Sequence, residues 1–301
     1  MTADNLVLIA NAGGVGRTVL ERLRAQDVPV RVMVRRDDDR ATALRALGAE
    51  VAVGDLTRPE SVDAALEGVR RMYFAMPVSP DHLLAATVTA TVARGHAGLD
   101  GLVDMSQMTV SQMTATSTAE SHQQRLHWLA EQVLDWSGLP VVHIRPTSFL
   151  DNPLFTTLAA RSIRENGTIA LPFGTGRTSP VAVEDVARVV ATVLRDPAPH
   201  VGHVYELTGP RTVDIAEMAE EFSRALGRPV SSADVPLDRW LTEVLAAVGL
   251  PPHTEQHIAT MARLHRENRY DRASDDVERV TGVPAQGIEA FVAAHKDLYL
   301  G

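Results

Sequence analysis

The stretch Leu6-Val-Leu-Ile-Ala-Asn-Ala-Gly-Gly-Val-Gly-Arg17 decides the fold. Its first five residues are a short apolar run, glycines follow at 13, 14 and 16, and residues 17–25 have the apolar spacing of a helix. Strand, tight turn and helix open a βαβ unit, and residues 28–34 supply its second strand. Such a turn suits the diphosphate of a dinucleotide. Glycine lacks a Cβ and lets the backbone come close, while the helix amino terminus offers free N–H groups. The candidate phosphate loop is Asn11, Ala12, Gly13, Gly14, Val15 and Gly16, with most weight on Gly13 and Gly16. The spacing G-x-G-x-x-G is not met literally, so a structural turn without a ligand is the competing reading.

Outward from this unit the rhythm continues. Helical spacing over 41–47, 59–66, 82–94 and 121–136 alternates with strand-like runs over 50–53, 71–75, 101–105 and 141–145, giving five or six strands. Alternation of this kind predicts an α/β fold, a Rossmann doubly wound parallel sheet with helices on both faces. Proline and glycine punctuate residues 152–180, which places a boundary there. Residues 1–152 are expected to form the dinucleotide-binding domain, with 181–210 returning to the sheet as a helix and a strand. Residues 153–180 and 211–301 are expected to form a smaller, mainly helical substrate domain, with helices over 213–226, 237–248, 257–266 and 287–299.

Composition narrows the function. Over 301 residues, 29 basic side chains face 38 acidic ones, so the net charge of −9 repels a phosphate backbone and nucleic acid is not an expected partner. Hydrophobic residues at 45% and charged residues at 22% match an ordinary globular protein. No apolar run reaches the length of a spanning helix, and Met-Thr-Ala-Asp-Asn lacks the start of a signal peptide, so the expectation is a cytoplasmic protein, monomer or homodimer, with no membrane partner. The absence of cysteine removes thiolate chemistry. His253 and His257 are four apart without a carboxylate at zincin spacing, and no metal site is expected.

The second strand ends in Val32-Met33-Val34-Arg35-Arg36, where a site for NAD usually carries an acid for the ribose 2′-hydroxyl. A guanidinium fork suits a phosphate instead, so Arg35, with Arg36 second, is the candidate 2′-phosphate clamp and implies NADP(H). A solvated surface pair is the alternative. Asp55 and Leu56 close the third strand, where the Asp can reach the adenine amino group or cap the next turn.

The motifs together resemble the NmrA-like branch of the atypical short-chain dehydrogenases along nearly the whole chain. They are residues 10–16 and 30–36, Gly48-Ala-Glu-Val-Ala-Val-Gly-Asp-Leu56, Ser137-Gly-Leu-Pro140, Ile144-Arg-Pro146 with Asn152, Val183-Glu-Asp-Val-Ala187 and Glu206-Leu-Thr-Gly-Pro210. The resemblance implies NADPH-dependent reduction of quinones, azo dyes or triphenylmethane dyes, or the redox sensing of a regulator. Two departures stand out. Ala10 replaces the first loop glycine, implying a wider turn and weaker cofactor binding. Gln123 and His127 occupy the Tyr-x-x-x-Lys positions, so the usual proton donor is missing. Members lacking that Tyr resemble enzymes that pass hydride to electron-poor acceptors.

Ligands of open α/β sheets lie beyond the carboxyl ends of the strands. By that analogy Ala75, Met76 and Pro77 lie beside the nicotinamide ribose, and Thr147, Ser148 and Phe149 face the nicotinamide, with Phe149 as core filler the alternative. Ser106 is placed to hydrogen-bond a substrate oxygen or to cap a turn. His127 is placed to hold the ribose or relay a proton, or is structural. His127, Ser106 and Gln123 are thus the candidate catalytic residues. The leading reading is an NADPH-dependent reductase of an electron-deficient, quinone-like or conjugated small molecule. A silent NADP sensor and a tailoring reductase or rearrangement enzyme for a natural product are the alternatives.

Overall fold

In the computed structural model, residues 5–96 and 98–301 are described. The first four residues, which carry most of the expectation about a leader, lie outside them. Among the described residues no helix is long and apolar enough to cross a membrane.

The chain separates into two compact units, the first comprising residues up to Val110 with Gln123–Arg145 and Val186–Tyr205. Its alternation runs β1 (Leu6–Ile9), α1 (Val15–Arg24), β2 (Val30–Val34), α2 (Asp39–Ala46), β3 (Glu50–Val53), α3 (Pro59–Leu66), β4 (Val69–Phe74), α4 (His82–His96), β5 (Gly101–Met105), α5 (His122–Trp136) and β6 (Val141–Pro146). The sheet order is β3-β2-β1-β4-β5-β6, closed by a seventh strand, Val204–Leu207. The pairs from β3 to β6 are all parallel. The order reverses beside β1, which leaves a crevice at the carboxyl ends of β1 and β4.

The sequence explains the layers. In α1 the residues Val15, Val19, Leu20 and Leu23 fall on one face and are buried. Helix α4 buries Ala85, Ala86, Ala90 and Ala93, small side chains that let a helix lie close to a sheet. One core of the unit joins Leu8, Met33, Val62, Met72, Phe74 and Leu134. The doubly wound parallel sheet expected from the alternation is present.

The second unit comprises Ser111–His122, Pro146–Asp185 and Glu206–Gly301. It contains α6 (Ala160–Asn166), β7 (Thr168–Leu171), α8 (Ile215–Leu226) and β9 (Ser231–Asp234); α7 (Val183–Arg195) and the seventh sheet strand, β8, straddle the division. Further helices are α9 (Leu237–Trp240), α10 (Pro252–Arg266), α11 (Asp276–Thr281), α12 (Ile288–Ala294) and α13 (Lys296–Leu300). Helix α8 starts in a reciprocal capping box between Asp214 and Glu217. Its apolar face packs Met218 and Phe222 with Phe155, Ile163, Phe291 and Tyr299. A small parallel sheet of β7 and β9, absent from the sequence reading, joins segments that read as loop. The helix expected over 237–248 is broken into α9, a π turn and a 3-10 turn. The one expected over 287–299 is interrupted at His295.

Candidate functional site

The glycine loop connects β1 to α1, and its glycines do different things. Gly14 has φ +48° and ψ −117°, a conformation that favours glycine, and stands at the helix N-cap without a side-chain cap. At Gly16 a Cβ would lie 1.8 Å from the Asn11 carbonyl oxygen, so the loop closes only over a glycine. Gly13 meets neither requirement: a Cβ there has Asn11 Oδ1 as its nearest neighbour at 3.4 Å, and the Gly13 N–H already donates to that oxygen. Ala10 is buried, its N–H bonded to the Tyr73 carbonyl of β4. Val15 is buried at the start of α1. The first turn of α1 has no acidic residue, so its positive end faces the loop without a competing anion.

Against this loop lies a cavity of about 780 Å³, within the range for small-molecule and cofactor sites. Of the residues singled out in the sequence, Asn11, Ala12, Gly13, Arg35, Arg36, Leu56, Ala75, Met76 and Pro77 line it. Sequence reasoning missed Arg17, Arg40 and Gly54, which also line it. A Cβ on Gly54 would meet Met33 Cε at 2.6 Å and Ser61 Cβ at 2.9 Å, so a larger residue there would have to displace both side chains. The cavity thus has four guanidinium groups, Arg17, Arg35, Arg36 and Arg40, against the carboxylates Asp38 and Asp39. Asp38 spends Oδ1 on the N–H groups of Arg40 and Ala41 as the cap of α2. Arg35 is largely exposed, with Asp55 Oδ1 4.0 Å from its Nη2. Asp55 itself is not a lining residue. Its Oδ1 accepts from the Thr57 N–H and hydroxyl, at 2.9 and 2.8 Å, and these bonds hold its carboxyl below the usual range, helped by Arg35. The turn-capping role foreseen for Asp55, which is compatible with a contact to adenine, is in place.

A second cluster sits in the same unit. The Ser79 N–H donates to Gln123 Oε1 at 3.1 Å, and Gln123 Nε2 lies 3.1 Å from His127 Nε2. The His127 ring lies 4.0 Å from the ring of His82, which meets the edge of Phe74. His82 is completely buried, neither ring nitrogen has a hydrogen-bond partner among the described residues, and burial pushes its pKa down. Ser106 is buried. Its N–H donates to the Ile144 carbonyl, and its Oγ has no hydrogen-bond partner among the described residues. His127, Gln123 and Ser106 are not lining residues of the cavity at the glycine loop.

Behind β5 and β6 the charges are paired. His143 Nδ1 is 2.8 Å from Asp104 and its Nε2 is 3.0 Å from Asp135. Burial alone would lower the His143 pKa, but these two hydrogen bonds and the surrounding carboxylates push it up to about 10. Arg145 forms a fork with Glu131 at 2.9 and 2.5 Å. Asp104, Glu131 and His143 bring ligand-type atoms within 4.8 Å of one another. The imidazolium of His143 and the guanidinium of Arg145 already supply the positive charge a metal would bring.

In the second unit the Thr147 hydroxyl donates to the Ser179 carbonyl at 2.9 Å. Ser148 Oγ lies 3.2 Å from His265 Nε2, and His265 Nδ1 lies 2.8 Å from the Met261 carbonyl. A carbonyl only accepts, so the His265 proton is on Nδ1 and Nε2 receives the Ser148 O–H. The His265 ring is stacked between Phe173 at 4.0 Å and Tyr270 at 3.9 Å, and burial pushes its pKa down to about 4. Phe149 is half-buried and bridges Val181 through the backbone.

A doubly wound parallel sheet with a glycine-turned crevice at its reversal point defines a dinucleotide-binding protein. Residues 11–197 match the NAD(P)H-binding family, and the chain belongs to that family. It is 30% identical to the (4-alkanoyl-5-oxo-2,5-dihydrofuran-3-yl)methyl phosphate reductase of Streptomyces griseus, covering 98% of this chain and 99% of that one. It is 29% identical to the NAD(P)H azoreductase of Xenophilus azovorans, over 96% and 97% of the two chains. An Escherichia coli NADPH-dependent quinone oxidoreductase, solved with NADPH, shares the fold at a TM-score of 0.81 and 22% identity, covering 97% of this chain and 99% of that one. The fold is shared with NmrA at a TM-score of 0.80 and 17% identity, in keeping with the resemblance drawn from the motifs.

Proposed function

We propose that the protein is an NADPH-dependent reductase that transfers hydride to an electron-deficient, quinone-like or otherwise conjugated small molecule. The observation that carries this reading is the cavity at the glycine loop with its four guanidinium groups. The azoreductase, furan-type phosphate reductase and quinone oxidoreductase among the similar proteins support it.

NADPH, when bound, supplies the hydride. The Gly14 and Val15 amides at the start of α1 hold the diphosphate, where the helix dipole favours negative charge; the Gly13 and Gly16 N–H groups are engaged within the turn. Arg35, seconded by Arg36 and joined by Arg40, holds the 2′-phosphate as a charge-assisted fork. Leu56 packs on the adenine side, and Ala75, Met76 and Pro77 form the wall beside the nicotinamide ribose. His127 holds the ribose, and Ser106, whose hydroxyl is unspent on protein, receives or donates a hydrogen bond to the substrate. Residues 153–180 and 211–301, with Thr147, Ser148 and Phe149 at their approach, shape the acceptor's place. With Gln123 where the proton-donating Tyr would stand, the protein contributes position and orientation.

The test is NADPH oxidation by the purified protein against quinones, azo dyes and conjugated lactones. Turnover with NADPH in clear excess over NADH is expected. Tight NADPH binding without turnover on any acceptor would overturn the reductase reading in favour of a sensor.

A further inference from the structure

The bonds around His127 dictate its protonation. The Ser79 backbone N–H can only donate, so the atom of Gln123 that faces it at 3.1 Å is the amide oxygen. The amide nitrogen is thereby turned toward His127 Nε2, 3.1 Å away, and it too can only donate. Nε2 must therefore bring a lone pair, and the proton of the neutral ring sits on Nδ1. An imidazolium would set an N–H against the amide N–H. Rotating the amide to relieve that clash would set its NH₂ against the Ser79 N–H. The first sets two buried donors against each other, at a cost of about 1–3 kcal/mol, and the second does the same at a part-buried contact.

From α4, the buried ring of His82 lies 4.0 Å from that of His127, excluding water from one side. Two nearby carboxylates each have a cationic partner of their own. Asp104 of β5 is bonded to His143 of β6, and Glu131, one turn along α5, is bonded to Arg145 of β6.

We infer that Gln123 and His82 are positioning residues that keep His127 a neutral imidazole with its proton on the buried Nδ1, so that the ring carries no charge and is not an acid. A lysine at this position would bring a permanent cation; the imidazole brings only direction. This rests on the proposed function only for its consequence. If His127 touches the nicotinamide ribose, the proton that completes the reduction comes from solvent, and the favoured acceptors are those whose reduced form is a stabilised anion.

The decisive measurement is histidine 15N NMR on the full-length protein without cofactor, from about pH 5.5 to 8.5, the span in which an ordinary imidazole titrates. His127 is expected to show an unprotonated Nε2, a protonated Nδ1 and no titration. Gln123→Glu places a carboxylate between the Ser79 N–H and His127, so Nε2 gains a proton and the ring stays cationic to near or above neutral pH. His82→Phe, which keeps a ring without ionisable nitrogen, is expected to leave His127 neutral, whereas His82→Ala is expected to return its titration toward about 6.5. In kinetics, kcat/KM of the wild type is expected to vary less than about twofold between pH 6 and 8, and that of Gln123→Glu by about tenfold. Titration of wild-type His127 near its ordinary value, or a proton on Nε2, overturns the inference whether or not the variants fold. Absence of turnover with every acceptor would remove the reductase reading and leave the NMR result standing.

Discussion

Two groups of charges in the first unit are organised in opposite ways. Behind β5 and β6, Asp104, His143, Glu131 and Arg145 are withdrawn from solvent, each bonded to an opposite charge. At the glycine loop, four guanidinium groups ring a cavity with two carboxylates, one already engaged as a helix cap. Paired charges buried together hold structure, and of this group's buried side-chain atoms only Asp104 Oδ1 is left without a hydrogen-bond partner among the described residues. Arg17 is paired with Glu21 at 3.0 Å on the exposed face of α1, a contact that contributes little to folding, and the cations in excess around the open crevice are available to an anion that arrives from outside.

The contrast breaks if the two groups respond alike to substitution. The largest expected effect is on the buried side. His143→Leu leaves Asp104 buried without its cation and should cost about 3–5 kcal/mol of stability, read by chemical denaturation. Protein that remains folded should bind NADPH as before. The same pair sets a pH dependence. The His143 pKa is raised in the folded state to about 10, so its contribution is complete below the ordinary imidazole value and is lost as pH rises through about 10. Thermal midpoints should therefore fall from pH 7 to pH 10, and His143→Leu should lack that component of the fall. On the open side, Arg35→Ala should weaken NADPH by about 1.5–3 kcal/mol, leave NADH nearly unchanged and barely move the midpoint; calorimetric titration with both nucleotides measures it. Equal losses for the two nucleotides would place Arg35 outside the 2′-phosphate site.

The first unit was readable because its physics is repetitive. A parallel strand covered on both faces must be a continuous apolar run, as in residues 6–10 and 28–34, and the helices between must carry a buried stripe. The glycine turn was readable for the same reason, although the positive φ falls at Gly14, which the spacing did not single out. The sheet of β7 and β9 was not, because each strand is four residues long and Ser231–Asp234 has no apolar alternation; its pairing, Thr168 to Ser231, spans 63 residues. In the candidate site, Arg35 and Arg36 were found by their place at a strand end. Arg40 was missed because it belongs to the next helix, whose amino terminus returns to the cavity. Gln123 and His127 were each named, and their spacing of four foretold a shared face. Their third partner, the Ser79 amide, lies in a loop 44 residues earlier and leaves no trace in periodicity.

The stacked imidazole of His265 also determines how Ser148 greets a visitor. An alcohol that has already handed its hydrogen to a ring nitrogen keeps only its lone pairs for others. If a ligand reaches Ser148, the hydroxyl offers it lone pairs alone: a group bearing an N–H or O–H can bond to it, and a carbonyl or carboxylate cannot.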